Sequence, residues 1–218
     1  MIAALLPVKP LSEAKRRLAA VLPAEARRAF CWAMLDDVAS VLRACCGFEA
    51  VLTVTRDAEV AEWAGQQGFE VVPERGSDLN TAIAEGVHVW RARGGRGVLY
   101  VPADVPLVTS GELELLLSHQ PEERGVVLAP DAEGRGTNAL LLVPPDVIPP
   151  CFEGASARAH EAAGRAAGAP VEICWLPGLS RDMDEPQDLA HLLRGRRDTR
   201  AARVLMECGA AGRLGWAS

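Results

Sequence analysis

Short apolar runs alternate with longer amphipathic stretches along almost the whole chain, and this alternation restricts the folds open to it. Strands are expected over 2–6, 49–54, 69–72, 97–102, 125–129, 138–143 and 171–175. Helical periodicity falls between them, near 24–45, 57–67, 78–93, 109–118 and 155–167, then 186–194 and 198–207. Such alternation predicts an α/β protein with a mostly parallel central sheet and helices on both faces. The rhythm changes between about 120 and 155, where two strand candidates lack an intervening helix and Pro144, Pro145, Pro149 and Pro150 break the chain. This stretch reads as a small β-rich insertion, not a second domain. Residues 1–208 are therefore expected to form one domain, and the Gly- and Ala-rich residues 209–218 a frayed tail. There is no internal repeat.

A chain of 218 residues buries roughly 70% of its unfolded surface, so its core needs no disulfide or metal staple. Its net charge of −6 argues against a general nucleic-acid binder, although cations within a cleft could still hold an anionic substrate. The six cysteines form no Cys-x-x-Cys pair and the four histidines share no metal-ligand spacing. Reduced, buried thiols of a cytoplasmic protein are expected, not a zinc site or disulfide framework. No apolar stretch reaches about 18 residues, so no membrane span is expected. The opening Met1–Leu6 lacks a basic leader.

Acidic residues stand at the ends of predicted strands. Asp104 closes the run from Val98, and Asp182 and Asp184 follow the segment Val171–Trp175. Open α/β sheets bind ligands at the C-terminal ends of their strands. Two carboxylates about 4 Å apart repel by roughly 4 kcal/mol at an effective dielectric near 20, so such a gathering calls for a cation. All-oxygen ligation suits magnesium bridging to phosphates. The blander readings are a turn at Asp104 and a capping pair of Asp184 with Gln187 around Pro186.

Other segments offer complementary chemistry. Lys9, Lys15, Arg16 and Arg17 put four cations within nine residues after the first strand, either to neutralise a polyphosphate or as a solvated helix face. This is neither a Walker A loop nor a Gly-x-Gly-x-x-Gly motif. Around Gly76, Ser77 can cap the next helix, and the Asn80 amide offers both donor and acceptor to a nucleobase or ribose. Thr109 with Glu112 reads as a capping box, and Asp57 as an N-cap. Glycines before Thr137 allow backbone to approach a ligand, and the helix start at Ser156 offers amides to an anion. Arg158 and His160 are expected to face solvent or neighbouring side chains.

The order and spacing of these segments are specific. Pro-Val-Lys-x-Leu-x-x-Ala-Lys-x-Arg-Leu (7–18), Asp-Leu-Asn (78–80), Pro-Ala-Asp-x-Pro-Leu (102–107), Gly-Thr-Asn-Ala-Leu (136–140) and Asp-x-Asp-x-Pro-x-Asp-Leu (182–189) resemble the phosphoenolpyruvate or 2-phospho-L-lactate guanylyltransferases of coenzyme F-420 biosynthesis. The resemblance covers about residues 2–194. It implies a Rossmann-like nucleotide-diphospho-sugar transferase fold, GTP as donor, a small phosphorylated carboxylic acid as acceptor, and Mg2+ as cofactor. The metal carboxylates then fall on Asp104, Asp182 and Asp184, and the phosphate-binding lysines on Lys9 and Lys15, with Lys15 and Asp104 catalytic. The nucleotide site would include Asn80, and the acceptor pocket Thr137, the backbone around Glu153, and Ser156. Arg16 stands where the family usually has a small residue, and Glu153 where it has glycine. The family is compatible with a homodimer, and its labile product with hand-over to a downstream transferase. Two rival readings remain: a molybdenum-cofactor or sugar nucleotidyltransferase, which would carry a Gly-rich loop with Arg after strand one, and a non-catalytic GTP-binding module, which could dispense with a metal carboxylate.

Overall fold

The computed structural model describes residues 1–11, 15–195 and 198–213. Ser12, Glu13 and Ala14 of the first motif lie outside the described residues, as do 214–218 of the expected tail. All seven expected strands form: β1 (Ile2–Pro7), β2 (Ala50–Thr55), β3 (Glu70–Pro73), β4 (Gly97–Tyr100), β5 (Gly125–Pro130), β6 (Thr137–Val143) and β7 (Val171–Ile173). The expected helices form too: α1 (Ala24–Ala44), α2 (Ala58–Gln66), α3 (Leu79–Ala92), α4 (Ser110–Ser118), α5 (Ser156–Ala166), α6 (Pro186–Gly195) and α7 (Arg200–Glu207). A 3-10 turn at Arg16–Ala20 and a short α8 (Ala210–Arg213) complete the described residues.

The strands make one seven-stranded sheet in the order β3-β2-β1-β4-β6-β5-β7. Every neighbouring pair is parallel except the two that involve β6, so β6 alone runs against the others. The change of rhythm after residue 120 is the β5–β6 hairpin. It is continuous with the main sheet, because Leu140, Leu141 and Leu142 pair with Tyr100, Leu99 and Val98 of β4. The reversal has a consequence for position. The start of β6, at Thr137, shares a sheet edge with the C-terminal ends of β1 and β4. The strand order also turns back between β1 and β4, the kind of switch point at which open sheets form a ligand crevice.

Both faces of the sheet are covered, which is why β4, β5 and the Ala139–Val143 part of β6 are continuous apolar runs without polar alternation. Ile2, Ala4 and Leu6 of β1 point into a core with α1, α2, α4, α6 and α7, while Ala3 and Leu5 point to the core under α3 and α5. A Cβ on Gly86 would come within 3.0 Å of Leu5, so α3 lies close on β1 because residue 86 has no side chain.

Local capping follows the sequence in part. Asp57 accepts from Glu59 N, and Thr109 and Glu112 form the reciprocal capping box. The cap of α3 is Asp78, which accepts from Thr81 N, and not Ser77. At α6 the pairing of Asp184 with Gln187, the blander reading of this segment, is not the one that forms. The Asp188 carboxylate accepts from the Asp184 and Glu185 amides, which leaves the Asp184 carboxylate for other partners.

Candidate active site

Along this edge of the sheet lies a cavity of about 920 Å³, near the upper end of the range for small-molecule sites. Its walls include Lys9, Lys15, Asp104, Thr137, Ser156, Asp182 and Asp184. The loop after β1 supplies the lysines. Val8 N donates to Val54 O, Thr55 Oγ1 donates to Val8 O, and Leu11 N donates to the Asp57 carboxylate, so the loop is moored to β2 and the start of α2. Lys9 is exposed on the wall, whereas the Lys15 side chain is only 7% exposed. Lys15 also has φ 54, a left-handed conformation that costs a non-glycine residue and is held by its surroundings.

The three strand-end carboxylates converge. One oxygen from each of Asp104, Asp182 and Asp184 lies within 4.8 Å of the others. A backbone bond joins the two loops that carry them: Met183 N donates to Asp104 O at 3.0 Å. Met183 is fully buried, so its neighbours Asp182 and Asp184 turn outward on either side of it toward the cavity. Asn138 strengthens this arrangement by donating to Leu179 O, which ties the approach to Asp182 back to the sheet.

Charge in the cluster is unevenly compensated. Lys15 Nζ sits 2.6 Å from Asp104 Oδ2 and 2.6 Å from Asp184 Oδ1. Burial alone would lower the lysine pKa, but the two carboxylates outweigh it and the ammonium is held charged well above its usual range. Burial likewise opposes ionisation of Asp184, and Lys15 and Arg17 overcome it, so that carboxyl stays below the usual range. Asp182 goes the other way. Burial, then repulsion from Asp104 and Asp184, push it up to about 6. Three carboxylates facing one ammonium leave excess negative charge on an all-oxygen donor set, which is what a hard divalent cation requires.

Around Thr137 the lining is neutral and polar. His160, on α5, is fully buried and holds Thr137 Oγ1 at 3.0 Å through Nδ1, while Cys151 N donates to its Nε2 at 2.9 Å. Ser156 Oγ lies 3.2 Å from Thr137 Oγ1. Phe152 packs edge-on between Tyr100 and His160, with ring centroids 4.6 Å apart on each side. Burial and the nearby Asp104 and Asp182 keep the Tyr100 phenol protonated, and burial pushes the Cys31 thiol on the cavity floor up to about 11. Neither is a ready nucleophile.

Some residues singled out in the sequence stand off the wall. The Asn80 side chain accepts from Phe152 N at 2.7 Å and so anchors the 152–154 loop, while its neighbour Leu79 lines the cavity. Glu153 is exposed, and Phe152 and Gly154 beside it form the wall. Arg158 is exposed on α5. Tyr100, Phe152, Cys31 and Asn138 line the cavity although the sequence assigns none of them a role of its own, because each reads there as an ordinary core, turn or motif residue. His119, Glu172 and Cys174 also bring ligand-type atoms within 4.8 Å of one another, but they lie outside the cavity and His119 already pairs with Glu172 at 2.7 Å. All six cysteines are free, but the expected burial holds for Cys31 and Cys45 alone: Cys46 is exposed, and Cys151, Cys174 and Cys208 are half-buried because they stand at strand and helix ends or in loops.

Burial lowers the His160 pKa from 6.5 to about 4, with consequences for stability. Above pH 6.5 the ring is neutral in both folded and unfolded chains. Below it the unfolded chain takes up a proton that the native protein refuses, so stability falls until the native ring protonates near pH 4. The loss should reach about 3 kcal/mol. Urea unfolding of the wild type and His160→Asn at stepped pH should show this loss only in the wild type. Parallel curves for the two proteins would refute it.

Known proteins resemble this chain in fold and in sequence. Among solved structures, a protein from Desulfovibrio desulfuricans G20 described as a nucleotide-diphospho-sugar transferase superposes with a TM-score of 0.79 at 18% identity, covering 99% of this chain and 97% of that one. The fold is therefore that of the nucleotide-diphospho-sugar transferases. A phosphoenolpyruvate guanylyltransferase of Sphaerobacter thermophilus is 40% identical over 189 residues, 87% of this chain and 91% of its own. A protein of the same name from Conexibacter woesei is 38% identical over 192 residues, 85% and 84% of the two chains. Nucleotidyltransferases generally use a divalent metal ion, and guanylyl transfer implies GTP and a phosphorylated substrate. Among the described residues, no helix is long and apolar enough to cross a membrane. The model of the guanylyl transferase CofC like family matches residues 2–211, and the chain belongs to that family of nucleotidyltransferases.

Proposed function

We propose that this chain transfers GMP from GTP to the phosphate of phosphoenolpyruvate, releasing diphosphate and forming enolpyruvoyl-2-diphospho-5'-guanosine, a step of coenzyme F-420 biosynthesis. The observation that carries the reading is the meeting of Asp104, Asp182 and Asp184 with Lys15 in a cavity whose other wall presents Thr137 and Ser156. The relatives named phosphoenolpyruvate guanylyltransferase support the choice of acceptor. In this reading the catalytic unit spans residues 1–208, works in the cytoplasm, alone or as a homodimer, and hands its labile product to a downstream transferase.

An acceptor phosphate oxygen attacks the α-phosphorus, and the bond from that phosphorus to the bridging oxygen of the diphosphate breaks. The second pKa of a phosphate monoester lies near 6, so the nucleophile is already deprotonated at neutral pH and needs no general base. The main barrier is repulsion between two polyanions. Asp104, Asp182 and Asp184 would hold Mg2+, which supplies charge neutralisation and alignment when bound. Lys15 spends two ammonium N–H groups on carboxylates and keeps a third for a donor phosphate oxygen. Lys9 stands exposed on the same wall and assists at the phosphates. Asn80 supports the nucleotide site, through the 152–154 loop that it anchors. Thr137, Ser156 and the backbone on either side of Glu153 hold the acceptor carboxylate by charge-assisted hydrogen bonds.

One assay tests the reading: GTP and Mg2+ with phosphoenolpyruvate, 2-phospho-L-lactate or 3-phospho-D-glycerate, with diphosphate release and product masses measured. Phosphoenolpyruvate should give stoichiometric diphosphate and the guanylylated product at the highest rate. A preference for either other acid would move the acceptor assignment, and tight GTP binding without diphosphate release for any acid would favour a binding module.

A further inference from the structure

We propose that His160 is a positioning residue that sets the polarity of the acceptor pocket, through a tautomer that leaves one hydroxyl proton of the Thr137–Ser156 pair facing the ligand. The inference rests on the acceptor reading above and goes beyond it to a residue that cannot itself touch the acceptor. Its basis is a count of protons.

A backbone N–H can only donate. Because Cys151 N donates to His160 Nε2 at 2.9 Å, that nitrogen carries a lone pair and no proton. The neutral ring therefore keeps its single proton on Nδ1, 3.0 Å from Thr137 Oγ1, which must accept. Ser156 and His160 are four residues apart on α5 and so share one face of the helix, and Ser156 Oγ is 3.2 Å from the same oxygen. Three protons are then available: one from the ring and two from the hydroxyls. One is spent from His160 to Thr137 and one between the two hydroxyls. The third remains, on Thr137 or on Ser156, and both side chains line the cavity.

The other tautomer reverses this outcome. With the proton on Nε2, Nδ1 would accept from Thr137, Thr137 would accept from Ser156, and no hydroxyl proton would be left. The wall would then offer only lone pairs to an anionic ligand. It would also set two N–H groups against each other at Cys151. The backbone amide of Cys151 thus decides, through an imidazole, that this wall donates. Phe152 stacked edge-on against the ring, and itself tied to Asn80, holds the imidazole plane in place.

Two isosteric variants separate this role from a structural one. Asn places a donor near the Nδ1 position and loses the contact to Cys151 N. Gln places an acceptor near the Nε2 position and loses the donation to Thr137. His160→Gln keeps the spare hydroxyl proton but loses the donor that orients Thr137, so the KM for phosphoenolpyruvate should rise about twofold to tenfold, the range for one neutral hydrogen bond, with the KM for GTP unchanged. His160→Asn should restore most of that loss. If Asn is the more damaged variant, or if both KM values rise together, the residue is structural and the inference fails. Thr137→Val serves as the control. A raised acceptor KM there with none in His160→Gln would overturn the inference and leave the acceptor pocket standing. An unchanged acceptor KM in Thr137→Val would overturn both. Imidazole 15N spectra of the wild type, which require no variant to fold, should show a protonated Nδ1 whose signal shifts on adding phosphoenolpyruvate. A protonated Nε2 would overturn the inference directly.

Discussion

Asp104→Ala is expected to abolish guanylyl transfer while leaving the fold intact, and Asp182→Ala to do the same. Each carboxylate belongs to a cluster whose ligand oxygens lie within 4.8 Å of one another, so losing one removes a third of the donor set and exposes the developing phosphate charge. Losing a single group that stabilises transition-state charge commonly costs about 10²–10³ in rate, and losing the ion it helps to hold should cost at least as much. The fold should survive because neither side chain belongs to the core. Removing Asp182 also takes away a carboxylate whose ionisation burial, and then repulsion from Asp104 and Asp184, already disfavours. Diphosphate release at saturating Mg2+, with circular dichroism on the same samples, measures both halves. Retained activity in both variants would remove the metal assignment.

Lys15→Ala is expected to show two effects, one on stability and one on the donor. The lysine is the buried counter-ion of Asp104 and Asp184, and its removal strands two carboxylates beside a third. Breaking a buried pair from one side costs about 3–5 kcal/mol, and the partial exposure of both aspartates puts this case near 3. Unfolding in urea should show that loss without metal and a smaller loss with millimolar Mg2+. In the same variant GTP should bind more weakly or transfer more slowly, read by calorimetry and single-turnover kinetics. Unchanged stability, affinity and rate would reduce the four cations after β1 to a solvated loop.

The legible part of this protein was its periodic part. Apolar runs such as Ala139–Val143 and amphipathic turns such as Leu113, Leu116 and Leu117 report their own secondary structure through local backbone and side-chain preference. Seven strands and seven helices follow within a few residues. The motif order also exposed the three aspartates. Direction and neighbours were not legible, because an apolar strand carries no mark of which strand it will pair with. β6 therefore read as part of an insertion, although it lies inside the sheet against β4. Caps are misplaced by one residue where two capping side chains are adjacent: the sequence reading points to Ser77 where Asp78 makes the cap, and to Gln187 where Asp188 does.

The amino-acid order by itself determined the alternation of strand and helix and which charged groups stand at strand ends, since both depend on residues a few positions apart. Only the tertiary structure decided that Lys15 lies between carboxylates 89 and 169 residues away, and that the Cys151 amide selects the His160 tautomer. The physical reason is one of range. A side chain's charge and its helix or strand preference are local properties, whereas burial, ion pairing and the assignment of a proton exist only after distant segments have packed together.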